Sequence, residues 1–184
     1  MNSLIGGLAN IVISDYLFNI ALYALLFVMG LAFAIDKEAV AKLKNSGLKL
    51  LVVPLLVILG SILGGLIAGL IFRLNLYGSM AVTAGYGWYT LTGPLLTQAL
   101  GAEWGALGFA ANFLRELLTI VTITLLVKLD KYAPIASGGA TTMDTTLPVI
   151  VRYCGSDMLI TAFSSGFVLS ILAPFTVMAI ASLL

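Results

Sequence analysis

The chain has 184 residues, of which 61% are hydrophobic and 9% charged, with a mean hydropathy of +1.13. So little polar surface cannot coat a water-soluble globule, and the expected class is an all-α integral membrane protein solvated by lipid. A formal net charge of +1 supplies no basic field for nucleic acid, and a lone Cys154 with no histidine removes disulfide frameworks, Cys/His metal sites and histidine-based catalysis.

At the N-terminus, Met1-Asn2-Ser3-Leu4 has no basic n-region, so no cleaved signal peptide is expected. Ser3 to Ile13 is apolar but short, and is either an interfacial helix or a lead-in to the first span, which Asp15 delimits. Tyr16 to Ile35 is long enough to cross a hydrocarbon core of about 30 Å. The following Asp36–Lys49 loop holds Lys37, Lys42, Lys44 and Lys49 and reads as cytoplasmic, which leaves the N-terminus outside. Leu50 to Phe72 is the second span, with Gly60, Ser61, Gly64 and Gly65 available for close helix contact.

Ser79 to Gly101 is long enough to cross but is interrupted by Gly85, Gly87, Gly93 and Pro94, and Tyr86, Trp88 and Thr90 stand at its centre as candidate ligand contacts. Trp104 to Val127 is the third span. Ala133 to Arg152 is the second broken stretch, with Pro134, the Gly138-Gly139 pair and Pro148. Asp157 to Leu184 closes the chain, with bends expected at Gly166 and Pro174. The fold class is therefore about four full transmembrane helices plus two glycine/proline-broken segments that re-enter or cross discontinuously, in one transport domain over residues 1–184.

Basic residues weigh the two options. If both broken stretches turn back, seven basic residues (Lys37, Lys42, Lys44, Lys49, Lys128, Lys131, Arg152) lie inside and Arg73 alone outside; if both cross, the tally is five against three. The positive-inside bias favours re-entry, and both options put the C-terminus outside a multi-pass protein of the inner (cytoplasmic) membrane. Bare backbone at membrane depth survives only where protein buries it or a watery cavity receives it, so two breaks predict a shared cavity. Half-helix ends in such a cavity attract carboxylates and cations, the two ends of an amino acid.

An ionisable group at bilayer depth costs roughly 2.5–3.5 kcal/mol and normally lines a solute or proton path. Three are expected there: Arg115, Glu116 and Asp144. Asn112, Arg115, Glu116 and Thr119 fall at i, i+3, i+4 and i+7 and form one polar stripe, with Leu114, Leu117, Leu118 and Ile120 turned away. Arg115 and Glu116 diverge by about 100°, so each needs a partner elsewhere. Asp144 is the natural partner for Arg115, as a fixed ion pair or as part of the site. Glu116 is then the free carboxylate for substrate or proton contact. Around Asp144, Gly139, Thr141, Thr142 and Thr145 offer amides and hydroxyls.

Gly85-Tyr86-Gly87-Trp88-Tyr89-Thr90-Leu91-Thr92-Gly93, Asn112-Phe113-Leu114-Arg115-Glu116-Leu117 and Gly138-Gly139-Ala140-Thr141-Thr142-Met143-Asp144-Thr145-Thr146-Leu147-Pro148-Val149 resemble, in this order, three signature stretches of the bacterial and archaeal lysine exporter LysO family. Leu26-Phe27-Val28-Met29-Gly30 is similar to a helix that opens the same half, so the resemblance runs from about Tyr16 to the end. It implies export of L-lysine and toxic lysine analogues, with a transport role for the glutamate that maps onto Glu116. Family members are typically longer and carry a further N-terminal membrane region with another intramembrane acidic residue. The resemblance is thus to a C-terminal half, and it implies either a homo-oligomer or a complex with a separate N-terminal half.

The mechanism expected from both readings brings the lysine ammonium groups to Glu116 and Asp144, and its carboxylate to Gly139, Thr141 and Thr142. Alternating access follows, with either protons or sodium as the coupling ion and no cofactor or metal. The rival readings are a cation channel or exchanger filtered by the threonine-rich stretch, and a membrane subunit that scaffolds a partner. No enzyme is expected: serine-type intramembrane proteolysis lacks its histidine, and the aspartyl type lacks its paired aspartates.

Overall fold

The computed structural model describes residues 49–184 and, upstream, isolated helical positions between Tyr16 and Ile35. The chain divides into two compact units, Met1–Lys44 and Asn45–Leu184. In the first unit, Tyr16, Leu17, Ile20, Ala24, Phe27, Val28, Leu31 and Ile35 are helical and exposed. Their spacing of three and four puts them on one apolar stripe, suited to lipid. The Ser3–Ile13 stretch and most of the Asp36–Lys49 loop lie outside the described residues.

The second unit is all-helical among its described residues: α1 (Lys49–Phe72), α2 (Leu76–Thr83), α3 (Tyr89–Leu100), α4 (Ala102–Leu129), α5 (Ala133–Gly138), a 3₁₀ turn (Gly139–Met143), α6 (Leu147–Cys154), a second 3₁₀ turn (Ser156–Met158) and α7 (Leu159–Ala181). Among the described residues, three stretches are long and apolar enough to cross a membrane: Leu51–Phe72, Ala102–Leu129 and Ser156–Ala181. Each coincides with a span expected from the sequence.

Between them lie two helical hairpins. After α1 the chain turns at Arg73, with φ at 56°, and the side chain of Asn75 caps α2 by accepting from Gly78 N at 3.1 Å. Helix α2 then runs back along α1, Gly69 lying against Leu76 and Ser79, and Gly65 against Ser79 and Met80. The helix breaks over Ala84–Trp88, and α3 returns along the first half of α4, where Gly93 meets Phe109 and Gly105 meets Thr97. Gly78 packs on Trp104, so the start of α4 lies level with the start of α2. The first hairpin therefore comes back to the end from which it set out.

The second hairpin does the same at the other end of α4. Ile123 of α4 shares one apolar cluster with Ile135 of α5, Ile150 and Cys154 of α6, and Met158. Lys131, just before α5, makes an ion pair of 3.4 Å with Asp157, just after α6. The chain that leaves at Lys131 is thus back beside it 26 residues later.

Two boundaries differ from the sequence reading. Gly93-Pro94 does not interrupt α3, which continues through Pro94; the break sits earlier, at Ala84–Trp88, where Tyr86 and Gly87 take φ of 52° and 100°. Pro148 opens α6 in its first turn, where the missing N–H has no helical partner to lose.

Candidate functional site

The two hairpin tips meet beside the middle of α4. Ala140 N donates to the Tyr86 carbonyl at 2.8 Å, and a Cβ on Gly87 would lie 3.0 Å from the Gly138 carbonyl oxygen. Gly139 adopts φ 64° and ψ −125°, a conformation essentially reserved for glycine, and any Cβ there would strike the Tyr86 carbonyl. On the far side, Gly166 of α7 leaves room for the 3₁₀ turn, since a Cβ would strike Met143 N.

The polar stripe of α4 points inward: Asn112 and Thr119 are buried, Arg115 and Glu116 are partly buried, and Leu114, Leu117, Leu118 and Ile120 are exposed. Asn112 serves the first break. Its Oδ1 accepts from Gly87 N at 2.7 Å, and its Nδ2 donates to Val82 O and Gly108 O, both at 2.8 Å. Arg115 serves the second break. Its Nε donates to Ser137 O at 2.8 Å, Nη2 to Ala136 O at 2.9 Å and Nη1 to Ser61 Oγ at 2.9 Å. The guanidinium thus sits on the carbonyls at the end of α5, the partially negative end of a helix. Thr119 adds a 2.7 Å hydroxyl contact to Ser137.

The expected Arg115–Asp144 pair does not form. Asp144 is exposed and turns onto its own neighbour, Oδ1 accepting from Thr145 N at 2.6 Å. Carbonyls freed by the helix break offer Arg115 several dipoles at once, and no carboxylate lies within ion-pair distance of it among the described residues. The hydroxyls of Thr141 and Thr142 are committed to backbone carbonyls, Thr141 to Gly138 O and Thr142 to Gly139 O and to Ala162 O of α7. Thr90 and Thr145 are exposed, Trp88 is half-buried, and the Tyr86 side chain is fully buried.

Alongside the tips lies a cavity of about 510 Å³ between α1, α2, α4 and α5, walled by Gly60, Ser61, Gly64, Thr83, Asn112, Arg115 and Ser137 among others. That is within the roughly 300–1,000 Å³ usual for small-molecule sites. Among the described residues, Cβ atoms on Gly60 or Gly64 would meet nothing within 4 Å, so α1 offers this cavity bare backbone. Of the residues singled out from the sequence, Asn112 and Arg115 line the cavity, and Asp144, Thr145 and Thr90 do not. Glu116 lies outside its wall, with Oε2 buried and making no hydrogen bond. Ser61 and Ser137 were missed as site residues; their signal was a hydroxyl inside each glycine-rich run.

Comparison with known proteins gives a consistent picture. The family model described as Lysine exporter LysO matches residues 3–181. The Lysine exporter LysO of Escherichia coli is 34% identical over 142 residues, covering 72% of this chain and 48% of that protein. A provisionally named lysine exporter of Haemophilus influenzae is 35% identical over 95 residues, covering 52% of this chain and 49% of that protein. The chain spans about half the length of these curated relatives. No solved structure matches it.

Proposed function

Because this chain belongs to the lysine exporter LysO family, we propose that it is a secondary transporter, not an enzyme, that carries L-lysine and lysine analogues out across the cytoplasmic membrane. The observation that carries the reading is Glu116: a carboxylate on a membrane-length helix, beside the residues that hold both helix breaks, with one oxygen buried and unbonded. A desolvated oxygen of this kind is satisfied by an ammonium group or a proton, which is what an amino-acid carrier exchanges there. Export driven by proton or sodium antiport follows from that exchange.

In the membrane the two hairpins are re-entrant and enter from opposite faces. The Gly78–Trp104 packing and the Lys131–Asp157 pair support this, because each hairpin begins and ends at one end of α4. The end carrying Lys49, Lys128, Lys131 and Arg152 is cytoplasmic and the end carrying Arg73 is external, so both termini face outward. Asp144 and Thr145, exposed near the second tip, belong to a surface covered by a second copy of the chain or by a separate N-terminal half.

The test is counterflow of labelled lysine in liposomes holding the purified chain, with arginine and ornithine as competitors. Saturable lysine exchange that Glu116→Gln abolishes is the expected result; full exchange by that variant would remove Glu116 from the mechanism. Flux without substrate competition would favour the channel reading, and no flux until a partner is added would favour the scaffold.

A further inference from the structure

Among the described residues, Arg115 is the one charged side chain on the wall of the 510 Å³ cavity. Its three hydrogen bonds go to neutral acceptors, Ser137 O, Ala136 O and Ser61 Oγ. A guanidinium has five N–H groups, so one on Nη1 and one on Nη2 remain unbonded. The charge is likewise unmatched among the described residues, whose ion pair is Lys131–Asp157. A positive charge held at bilayer depth by dipoles alone gains most from an anion, and a carboxylate can accept from both remaining donors.

Neighbouring donors are less available. Both N–H groups of the Asn112 amide are spent on Val82 and Gly108, and the Thr83 hydroxyl is spent on Ser79 and Met80 carbonyls. Gly60 and Gly64 line the same cavity as Arg115, and no described atom lies within 4 Å of where their Cβ atoms would be, which leaves room in that cavity for a ligand head group.

We infer that Arg115 is the carboxylate subsite of this cavity, so that the chain takes amino acids through their α-carboxylate and rejects diamines of the same length. This rests on the transport reading above for its setting, and it adds a selectivity which that reading does not contain. Lysine and 1,5-diaminopentane differ only by the carboxylate, so a cavity that recognised ammonium groups alone would not tell them apart. Norleucine, which keeps the carboxylate and lacks the side-chain ammonium, supplies the converse probe.

Two measurements on the purified 184-residue chain test it. In thermal-shift titrations, norleucine raises the unfolding temperature and 1,5-diaminopentane does not; in lysine counterflow, the diamine inhibits about tenfold or more weakly than unlabelled lysine. Arg115→Lys, which keeps the charge but loses the planar pair of donors, narrows that ratio. Equal inhibition by the diamine, or a thermal response to the diamine and none to norleucine, would overturn the assignment, as would no response to either. Norleucine binding without lysine counterflow would uphold the subsite and sink export. Lysine counterflow inhibited equally by the diamine would do the reverse.

Discussion

The main-chain N–H of Ala140 donates to the main-chain carbonyl of Tyr86, joining the tip of one hairpin to the tip of the other across 2.8 Å. Asn112 and Arg115, less than one helical turn apart on α4, hold the two sides of this junction by binding the backbone that each helix break sets free. A single helix thus satisfies both interruptions, which is the condition for non-helical backbone to persist away from water.

Asn112→Ala is predicted to lower stability by about 2–4 kcal/mol, because it strands the Gly87 N–H and the Val82 carbonyl in a buried site. Thermal unfolding in lipid nanodiscs measures this. A change below about 0.5 kcal/mol, the ordinary range for harmless surface substitutions, would mean water replaces the amide.

Gly139→Ala is predicted to cost about 3 kcal/mol or more, through its φ of 64° and the overlap of a Cβ with the Tyr86 carbonyl. Gly60→Ala is the control. Its Cβ meets nothing among the described residues, and alanine is the better helix former by roughly 0.5–1 kcal/mol, so this variant folds at least as well. Expression and unfolding temperature of the pair should diverge in opposite directions.

Single cysteines in a Cys154→Ser background report the hairpins' sidedness. Lys131→Cys and Asp157→Cys should react with a membrane-impermeant maleimide from the cytoplasmic face, and Arg73→Cys and Glu103→Cys from the outer face; all four native side chains are exposed. If Lys131→Cys and Asp157→Cys label from opposite faces, the second stretch crosses the bilayer.

Lys131→Met is predicted to change stability by less than about 1 kcal/mol. The Lys131–Asp157 pair is 59% and 65% exposed, where solvent screening leaves ion pairs little net worth. The return of the chain is held by the buried Ile123, Ile135, Ile150 and Cys154 instead, so Ile150→Ala should cost about 2–5 kcal/mol in the same unfolding assay.

The long helices were legible because a continuous apolar run of membrane length has one physical solution, and α1, α4 and α7 match their expected spans closely. The inward stripe was legible from helical spacing alone. The partner of Arg115 was not, because its acceptors are the carbonyls of Ala136 and Ser137, and carbonyls leave no trace in residue type. Charge pointed to Asp144, whereas the freed end of α5 outcompeted it. Gly93-Pro94 misled for a related reason: a proline inside a short helix and one at a break look alike until the glycine with positive φ, Gly87, is located.

The bond between Ala140 and Tyr86 involves no side chain on either partner. Alanine scanning would pass over it, since position 140 is already alanine and Tyr86 contributes only its carbonyl. Any motion that parts the tips must find new company for an amide and a carbonyl, and only replacing that amide with an ester would expose how much the fold depends on it.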